Sequence, residues 1–121
     1  MNNRVRSILE HMLEDAQDAM NFANEAGGID VFSSNKMICK AVVMSILNIG
    51  ELTKHLPQEF KAEHNEIPWK NISGMRDIAA HGYHAMNHKI IWDVVKNYLP
   101  SLAKFLQDQL DKACNNGRQS S

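Results

Sequence analysis

The sequence predicts an all-α bundle of four or five helices, and three observations support that prediction. Apolar residues recur at steps of three and four, glycine and proline separate the periodic segments, and the strict alternation typical of strands is absent. The composition, with 44% hydrophobic and 22% charged residues, is typical of a globular protein. We therefore expect a single helical domain over residues 1–114 and a flexible tail over residues 115–121.

The first two helices have clear end signals. The first carries an apolar stripe from Val5 to Ala23, and Gly27 is a suitable residue for its end. Asn35, preceded by two serines, offers a cap for a second helix that runs to about His55. This second helix is apolar over most of its circumference, which predicts the central position in the bundle.

Proline, glycine and asparagine mark the remaining elements. Pro57 opens the stretch PQEFKAEHNE, a short polar helix or turn. Pro68 suits the first turn of a third main helix, which we expect to stop at Gly82. Asn87 would then cap the helix HKIIWDVVKNYL, and Pro100 marks either a kink or the start of the final helix.

Charge and hydropathy exclude several classes of protein. No window approaches the roughly 18 uninterrupted apolar residues of a membrane span, and the first residues lack a signal-peptide core. We therefore expect a cytoplasmic protein without membrane contact. The formal net charge of −1 predicts that any contact with nucleic acid is local, and no binding to DNA is expected. Cys39 and Cys114 match no metal-ligand or disulfide spacing.

The segment GMRDIAAHGYHAMN concentrates side chains suited to phosphate chemistry. Arg76 has the charged fork that matches a phosphate, and His81 is the candidate for proton transfer. Asp77 precedes His81 by four residues, the spacing at which helical side chains meet. Tyr83 adds a hydroxyl that we expect to reach solvent beyond the helix end, whereas Tyr98 follows two valines on an apolar helix face and is expected to be buried. Because Arg76 and His81 point about 140° apart in a regular helix, the expected helix end at Gly82 would have to free the His81 ring.

Plainer interpretations of this segment stay open. His81 could act only as a cap at the helix end, and Arg76 could lie on a solvated face. The string formed by His81, His84 and His88 could suggest zinc, but no matching cysteine or carboxylate follows it. We expect neither a metal nor a cofactor.

The second helix contributes two supporting candidates. Met44, Asn48, Glu51 and His55 share one stripe, on which Asn48 and Glu51 interrupt an otherwise apolar surface. A buried carboxylate needs a partner, and Arg76 is the most suitable one in the chain. The alternative is that Glu51 lies at the helix edge and faces water.

Arg76, His81 and Tyr83 together form the pattern R-x4-H-x-Y, which resembles the motif of the HEPN superfamily and of its HepT-like toxins. The stretches NIGELTKHLP, EIPWKNISGMRD and IIWDVVKNYLP also resemble the corresponding blocks of HepT-like proteins, in the same order. The likeness covers roughly residues 4–110 and is most specific between Glu66 and Tyr83.

The resemblance implies an all-α, HEPN-like homodimer that joins through its motif-bearing helices. It implies the toxin of a type VII HepT/MntA-like toxin–antitoxin system, a metal-independent endoribonuclease in which Arg76 and His81 are catalytic. Its partner would be a MntA-like nucleotidyltransferase antitoxin that transfers AMP to Tyr83. Two other classes remain: a non-catalytic subunit that presents substrate to a nucleotidyltransferase, and a purely structural helical module.

Overall fold

The computed structural model describes the backbone of residues 1–119 and the side chains of residues 1–114. Within that part the chain forms seven helices and no strand: α1 Asn3–Ala26, α2 Ile29–Ser34, α3 Lys36–Lys54, α4 Gln58–Glu63, α5 Trp69–His84, α6 His88–Asn97 and α7 Leu99–Gln119. The all-α prediction is confirmed. The five longer helices are those that the periodicity predicted, and α4 is the predicted short polar helix. Helix α2 was not predicted.

Helix α3 lies between α1 and α5, as its apolar circumference predicted. Its fully buried side chains include Val42, Ile46 and Ile49, which meet Leu9 and Met12 of α1 in one core. Helix α7 packs on α1, and α6 contacts α5, α7 and α2. Burial of these apolar surfaces is the main force that fixes α5 against α3.

The predicted end of α1 and the predicted cap of α3 are confirmed. Gly27 adopts the left-handed conformation with φ +80°, and its N–H donates to the carbonyl of Ala23. Asn35 accepts a hydrogen bond from the Ile38 N–H at 3.0 Å, which satisfies one of the free donors at the beginning of α3.

The beginning of α5 is anchored by aromatic side chains from three helices and a loop. Trp69 packs against Phe60 of α4 and Phe105 of α7, and its indole N–H donates to the carbonyl of His64 at 3.0 Å. The His64 ring also contacts both phenylalanines. Such a cluster buries a large apolar area in a defined geometry, so it fixes where α5 starts and how it is oriented.

The predicted end of α5 at Gly82 is wrong, because the helix continues to His84. The N–H of Asn87 donates to the Gly82 carbonyl at 2.7 Å, and the N–H of Met86 donates to the Tyr83 carbonyl at 3.2 Å. Met86 has φ 57°, so a methionine occupies the left-handed position that usually holds glycine. Gly82 instead allows close packing, since a Cβ there would lie 3.3 Å from Ile91 Cγ1.

The final helix begins at Leu99, one of the two alternatives that Pro100 suggested, and extends beyond residue 114, the predicted domain boundary. Pro100 is in the first turn of α7, where a missing N–H costs little. The backbone helix continues past residue 114 to Gln119, into the segment predicted as a flexible tail. Residues 120 and 121 lie outside the described residues. Within residues 1–119, no helix combines the length and the apolar character that crossing a membrane requires.

Candidate functional site

Arg76 lies where α5 closely approaches Gly50 of α3. A Cβ built on Gly50 would be 2.7 Å from the Cβ of Arg76 and 3.1 Å from the carbonyl oxygen of Ser73. Only glycine leaves room for this approach, because the Cβ of a residue essentially never lies within 3.0 Å of a non-bonded atom of another residue. The close packing brings the Arg76 side chain over the surface of α3.

The guanidinium of Arg76 meets the carboxylate that the sequence suggested. Arg76 Nε lies 2.9 Å from Glu51 Oε1, and Arg76 Nη1 lies 3.7 Å from Asp77 Oδ1. Lys54 Nζ is 3.7 Å from the same Glu51 oxygen. The predicted contact is therefore present. Of the two alternatives for Glu51, the structure shows the carboxylate at the helix edge facing water, because the Glu51 and Arg76 side chains are 48% and 45% exposed. An ion pair so solvated contributes about 0–1 kcal/mol to stability, which leaves Arg76 free to exchange Glu51 for another anion.

His81 is exposed on the outer surface of α5 and is not brought beside Arg76 by a helix end. Since α5 runs unbroken to His84, the two side chains leave the helix in directions about 140° apart. Among the side chains described, Asp77 forms its ion pair with Arg76 and not with His81. The expectation that a helix end at Gly82 frees the His81 ring is therefore wrong for this chain.

The two tyrosines have the opposite exposure to the one predicted. Tyr83 lies inside α5, is half-buried and packs against the core, with its ring 5.9 Å from that of His84. Tyr98 was expected to be buried because it follows two core valines. It is 64% exposed, because α6 ends at Asn97 and Tyr98 leaves the periodic face as its C-cap.

Asn48 is exposed on α3 and interacts with a residue that sequence reasoning missed, Asp15 of α1. Partial burial raises the pKa of the Asp15 carboxyl above its usual value, and the nearby polar side chain of Asn48 offsets part of that rise. No sequence signal marked Asp15, because it stands in the acidic run EDAQD together with two other carboxylates from which the sequence does not distinguish it.

A stripe of α3 that continues from Glu51 exposes two methionines. Met37 is 76% exposed and Met44 is 58% exposed, and the three residues are spaced by seven, so they share one face of the helix. This stripe, formed by Met37, Met44 and Glu51, is called the methionine stripe below. Large apolar side chains grouped on one face are typical of an interaction surface.

The histidine string does not come together as a metal site. Across residues 1–114, no three His, Cys, Asp or Glu side chains are grouped so that they could hold a metal ion. The groups suited to phosphate chemistry in this region are the arginine, the histidine and the tyrosine hydroxyl of α5.

The chain is thus an all-α protein with the R-x4-H-x-Y residues Arg76, His81 and Tyr83 on one helix, the arrangement that the resemblance to HEPN proteins predicted. Residues 9–108 match the model of the family described as "Ribonuclease HepT-like". The chain belongs to this HepT-like family.

Curated relatives agree with that assignment. The chain is 36% identical to the protein named "Putative RNase" of Caldanaerobacter subterraneus subsp. tengcongensis, with 88% of this chain and 95% of the relative covered. It is 34% identical to the "Probable ribonuclease HepT" of Thermococcus cleftensis, with 84% and 92% covered. A protein of Methanocaldococcus jannaschii, also named "Putative RNase", is 36% identical, with 86% of this chain and 85% of the relative covered. No solved structure matches the chain significantly.

Proposed function

We propose that this protein is the toxin of a type VII HepT/MntA-like toxin–antitoxin system. In this proposal it is a metal-independent endoribonuclease whose active site combines Arg76 and His81 from two copies of the chain. A MntA-like nucleotidyltransferase antitoxin would neutralise it by transferring AMP to Tyr83. The ribonuclease family and the names of its relatives support the RNase activity.

The observation that supports a composite site is that α5 continues without a break through Gly82 to His84. One chain directs Arg76 toward α3 and His81 away from it, about 140° around the helix axis. A single phosphate therefore cannot easily sit between the arginine and the histidine of one chain. A two-fold axis beside α5 would bring Arg76 of one chain toward His81 of the other.

The methionine stripe supports the same dimer. It begins at the Arg76–Glu51 ion pair and continues along α3 with exposed apolar side chains. A second copy that covers Met37 and Met44 would bury apolar surface next to the arginine, which stabilises association and removes water from the site. Ala80 is small and only partly buried, so it lets another helix approach α5 closely.

Two histidines in one site would supply the proton transfers of metal-free RNA cleavage. The 2′-hydroxyl attacks the neighbouring phosphorus, its proton passes to one imidazole, and the 5′-oxygen leaves with a proton from the other. The arginines stabilise the charge that develops on the phosphate oxygens. The products are a 2′,3′-cyclic phosphate and a 5′-hydroxyl.

AMP on Tyr83 would block this site by charge and bulk. The phenol oxygen forms a bond to the α-phosphorus of ATP, the bond to the β-phosphate breaks, diphosphate leaves and the phenol proton passes to solvent or a base. Tyr83 follows Arg76 by seven residues of α5, so the two side chains share one face of the helix, and the added phosphate would compete with RNA for the arginines.

Cleavage of a fluorescent single-stranded RNA tests the proposal. Wild-type protein is expected to cut it in the presence of EDTA, while Arg76→Ala and His81→Ala each lose at least about a hundredfold in rate. His84→Ala is the matched control, because His84 is an exposed histidine on the same helix. Loss of cleavage in EDTA with recovery on adding zinc, or equal loss in His84→Ala, would overturn the mechanism.

A further inference from the structure

A groove between α5 and α6 borders the α5 surface that carries His81, and neither proposed catalytic residue lines it. Its volume is about 690 Å³, and it is lined by residues of α5, α6 and the first turn of α7. Ile78 and Ile90 lie near the α5–α6 turn, and Tyr98 lies at the other end of α6. We call this the α5–α6 groove.

The groove borders the outer surface of α5 that carries His81. Ile78 precedes His81 by three residues, so the two side chains are neighbours on the helix surface. Gly74 lies one turn before Ile78, and a Cβ built there would meet nothing within 4 Å. The α5 side of the groove is therefore unobstructed at Gly74. A ligand that places a phosphate at His81 therefore extends naturally into the groove.

The walls of the groove suit a flat, largely apolar ring. Ile78 is 46% exposed and Tyr98 is 64% exposed, so both offer accessible apolar surface. Asn71, Asn97 and Asp93 add amide and carboxylate groups that can hydrogen-bond to ring edges. Apolar walls with a few polar groups, in a volume of roughly 300–1,000 Å³, are typical of sites for small organic ligands.

The distribution of charge fixes the orientation of such a ligand. Asp93 lines the groove, so a phosphate inside it would be repelled, whereas an exocyclic amino group of a base could donate to this carboxylate. Lys70 is the cation among the lining residues and stands on α5, on the side where His81 lies. This arrangement favours a base inside the groove and phosphates along the outer surface of α5.

We infer that the α5–α6 groove binds a nucleobase of the RNA strand next to the phosphate that is cut. The inference rests on the proposed ribonuclease function and adds the part of the site that holds the substrate strand. Stacking of a base on an aromatic side chain tolerates different sequences, and Tyr98 is the aromatic residue available for it. Which base is preferred would depend on the hydrogen bonds to Asp93, Asn71 and Asn97.

Binding is tested directly by NMR of protein with ¹³C-labelled isoleucine methyl groups. Titration with AMP or UMP is expected to shift the signals of Ile78 and Ile90 but not that of Ile46, which is fully buried in the core. Ribose 5-phosphate is the matched probe, because it has the sugar and phosphate without the base. Equal shifts with ribose 5-phosphate, or none at Ile78 with either nucleotide, would overturn the inference.

Kinetics of RNA cleavage provide the second test. Ile78→Ser and Tyr98→Ala are expected to raise KM about fivefold or more, with kcat at saturating RNA little changed, and Tyr98→Phe should retain most of the affinity. Val31→Ser is the control, because Val31 is 50% exposed and lies on α2, outside the groove. Wild-type KM in both groove variants would overturn the inference and would favour a protein segment as the occupant.

The two tests separate the groove from the proposed function. Base-dependent methyl shifts in a protein that cuts no RNA would support the groove and contradict the ribonuclease proposal. Cleavage that needs Arg76 and His81 but leaves the groove methyl signals unmoved by nucleotides would contradict the groove alone.

Discussion

Gly50 of α3 and Arg76 of α5 lie at a close approach of the two helices that build the candidate site. A Cβ on Gly50 would stand 2.7 Å from the Cβ of Arg76, an atom fixed directly to the backbone of α5. The clash could not be relieved by rotating a flexible side chain, so one helix would have to move. The position of the arginine therefore depends on a residue that has no side chain.

Gly50→Ala is accordingly expected to destabilise the protein, although alanine is the better helix former by about 1 kcal/mol. Overpacking of this kind costs about 1–3 kcal/mol, which exceeds the gain in helix propensity. Gly74→Ala is the matched control on α5, where the new Cβ meets nothing within 4 Å, and it should stabilise by about 0.5–1 kcal/mol. Urea unfolding followed by circular dichroism measures both, and a Gly50→Ala variant as stable as wild type would contradict the packing argument.

The comparison of Gly27 with Gly82 shows what the sequence could and could not predict. Both glycines follow an apolar periodic segment, and both were expected to end a helix. Gly27 does so through a positive φ, whereas Gly82 stays helical because the chain turns at Met86 instead. The sequence carried no signal for a left-handed methionine, since that conformation is stabilised by hydrogen bonds that only the folded turn creates.

One contact between the candidate residues was predictable from the sequence, whereas their exposure was less so. The motif and the interrupted apolar surface of α3 were enough to predict the contact of Arg76 with Glu51. The exposure of Tyr83 and Tyr98 was predicted the wrong way round, because both depend on where a helix ends. Shifting the end of α5 by two residues draws Tyr83 into the packed helix, and the end of α6 at Asn97 releases Tyr98.

The left-handed turn at Met86 leads to a stability prediction. The left-handed conformation costs a residue with a Cβ about 1–2 kcal/mol. Because the Met86 side chain is 77% exposed, little packing is lost when it is removed. Met86→Gly should therefore raise the free energy of unfolding by up to about 1 kcal/mol. Met86→Ala keeps a Cβ in the left-handed conformation, so it should not raise the free energy of unfolding. Ala85→Gly should lower it, because Ala85 has an ordinary φ of −82° that gains nothing from glycine. The idea fails if glycine is no better than alanine at residue 86.

Asp15 predicts a dependence of stability on pH. Its pKa is raised by burial in the folded protein, so the folded state holds the proton more tightly than the unfolded state. The carboxyl therefore costs no stability below the ordinary pKa of 3.8, and it becomes destabilising as pH rises through the folded value. Asp15→Asn should be more stable than wild type near neutral pH, and the difference should shrink on acidification.

Thermal unfolding of the Asp15→Asn variant and wild type over a pH series measures this difference. Glu10→Gln is the control, because Glu10 is an exposed carboxylate on the same helix. A stability difference for Asp15→Asn that stays constant with pH, or that grows toward acid, would show that burial of the carboxylate is not its cause.

Mixing two inactive variants tests the shared active site. A dimer of one Arg76→Ala chain and one His81→Ala chain keeps an arginine on one subunit and a histidine on the other, so it can rebuild one arginine–histidine pair. The mixture is expected to regain part of the RNA cleavage that neither variant shows alone. A chain with both substitutions, mixed with either single variant, is the control and should restore nothing. Full activity in an isolated monomer would exclude the composite site.

The last prediction concerns the modified residue. Tyr83 is half-buried, but tyrosine can pack its ring against the core and keep the hydroxyl at the surface, where ATP held by a nucleotidyltransferase can reach it. Co-expression with the cognate enzyme should add AMP to Tyr83, detected by mass spectrometry, and should abolish RNA cleavage. Tyr83→Phe keeps the ring packing and should stay active but escape neutralisation. Tyr98→Phe is a demanding control, since Tyr98 is the more exposed tyrosine at 64%. If AMP maps to Tyr98, exposure rather than a shared helix face with Arg76 selects the acceptor, and the assignment to Tyr83 is wrong.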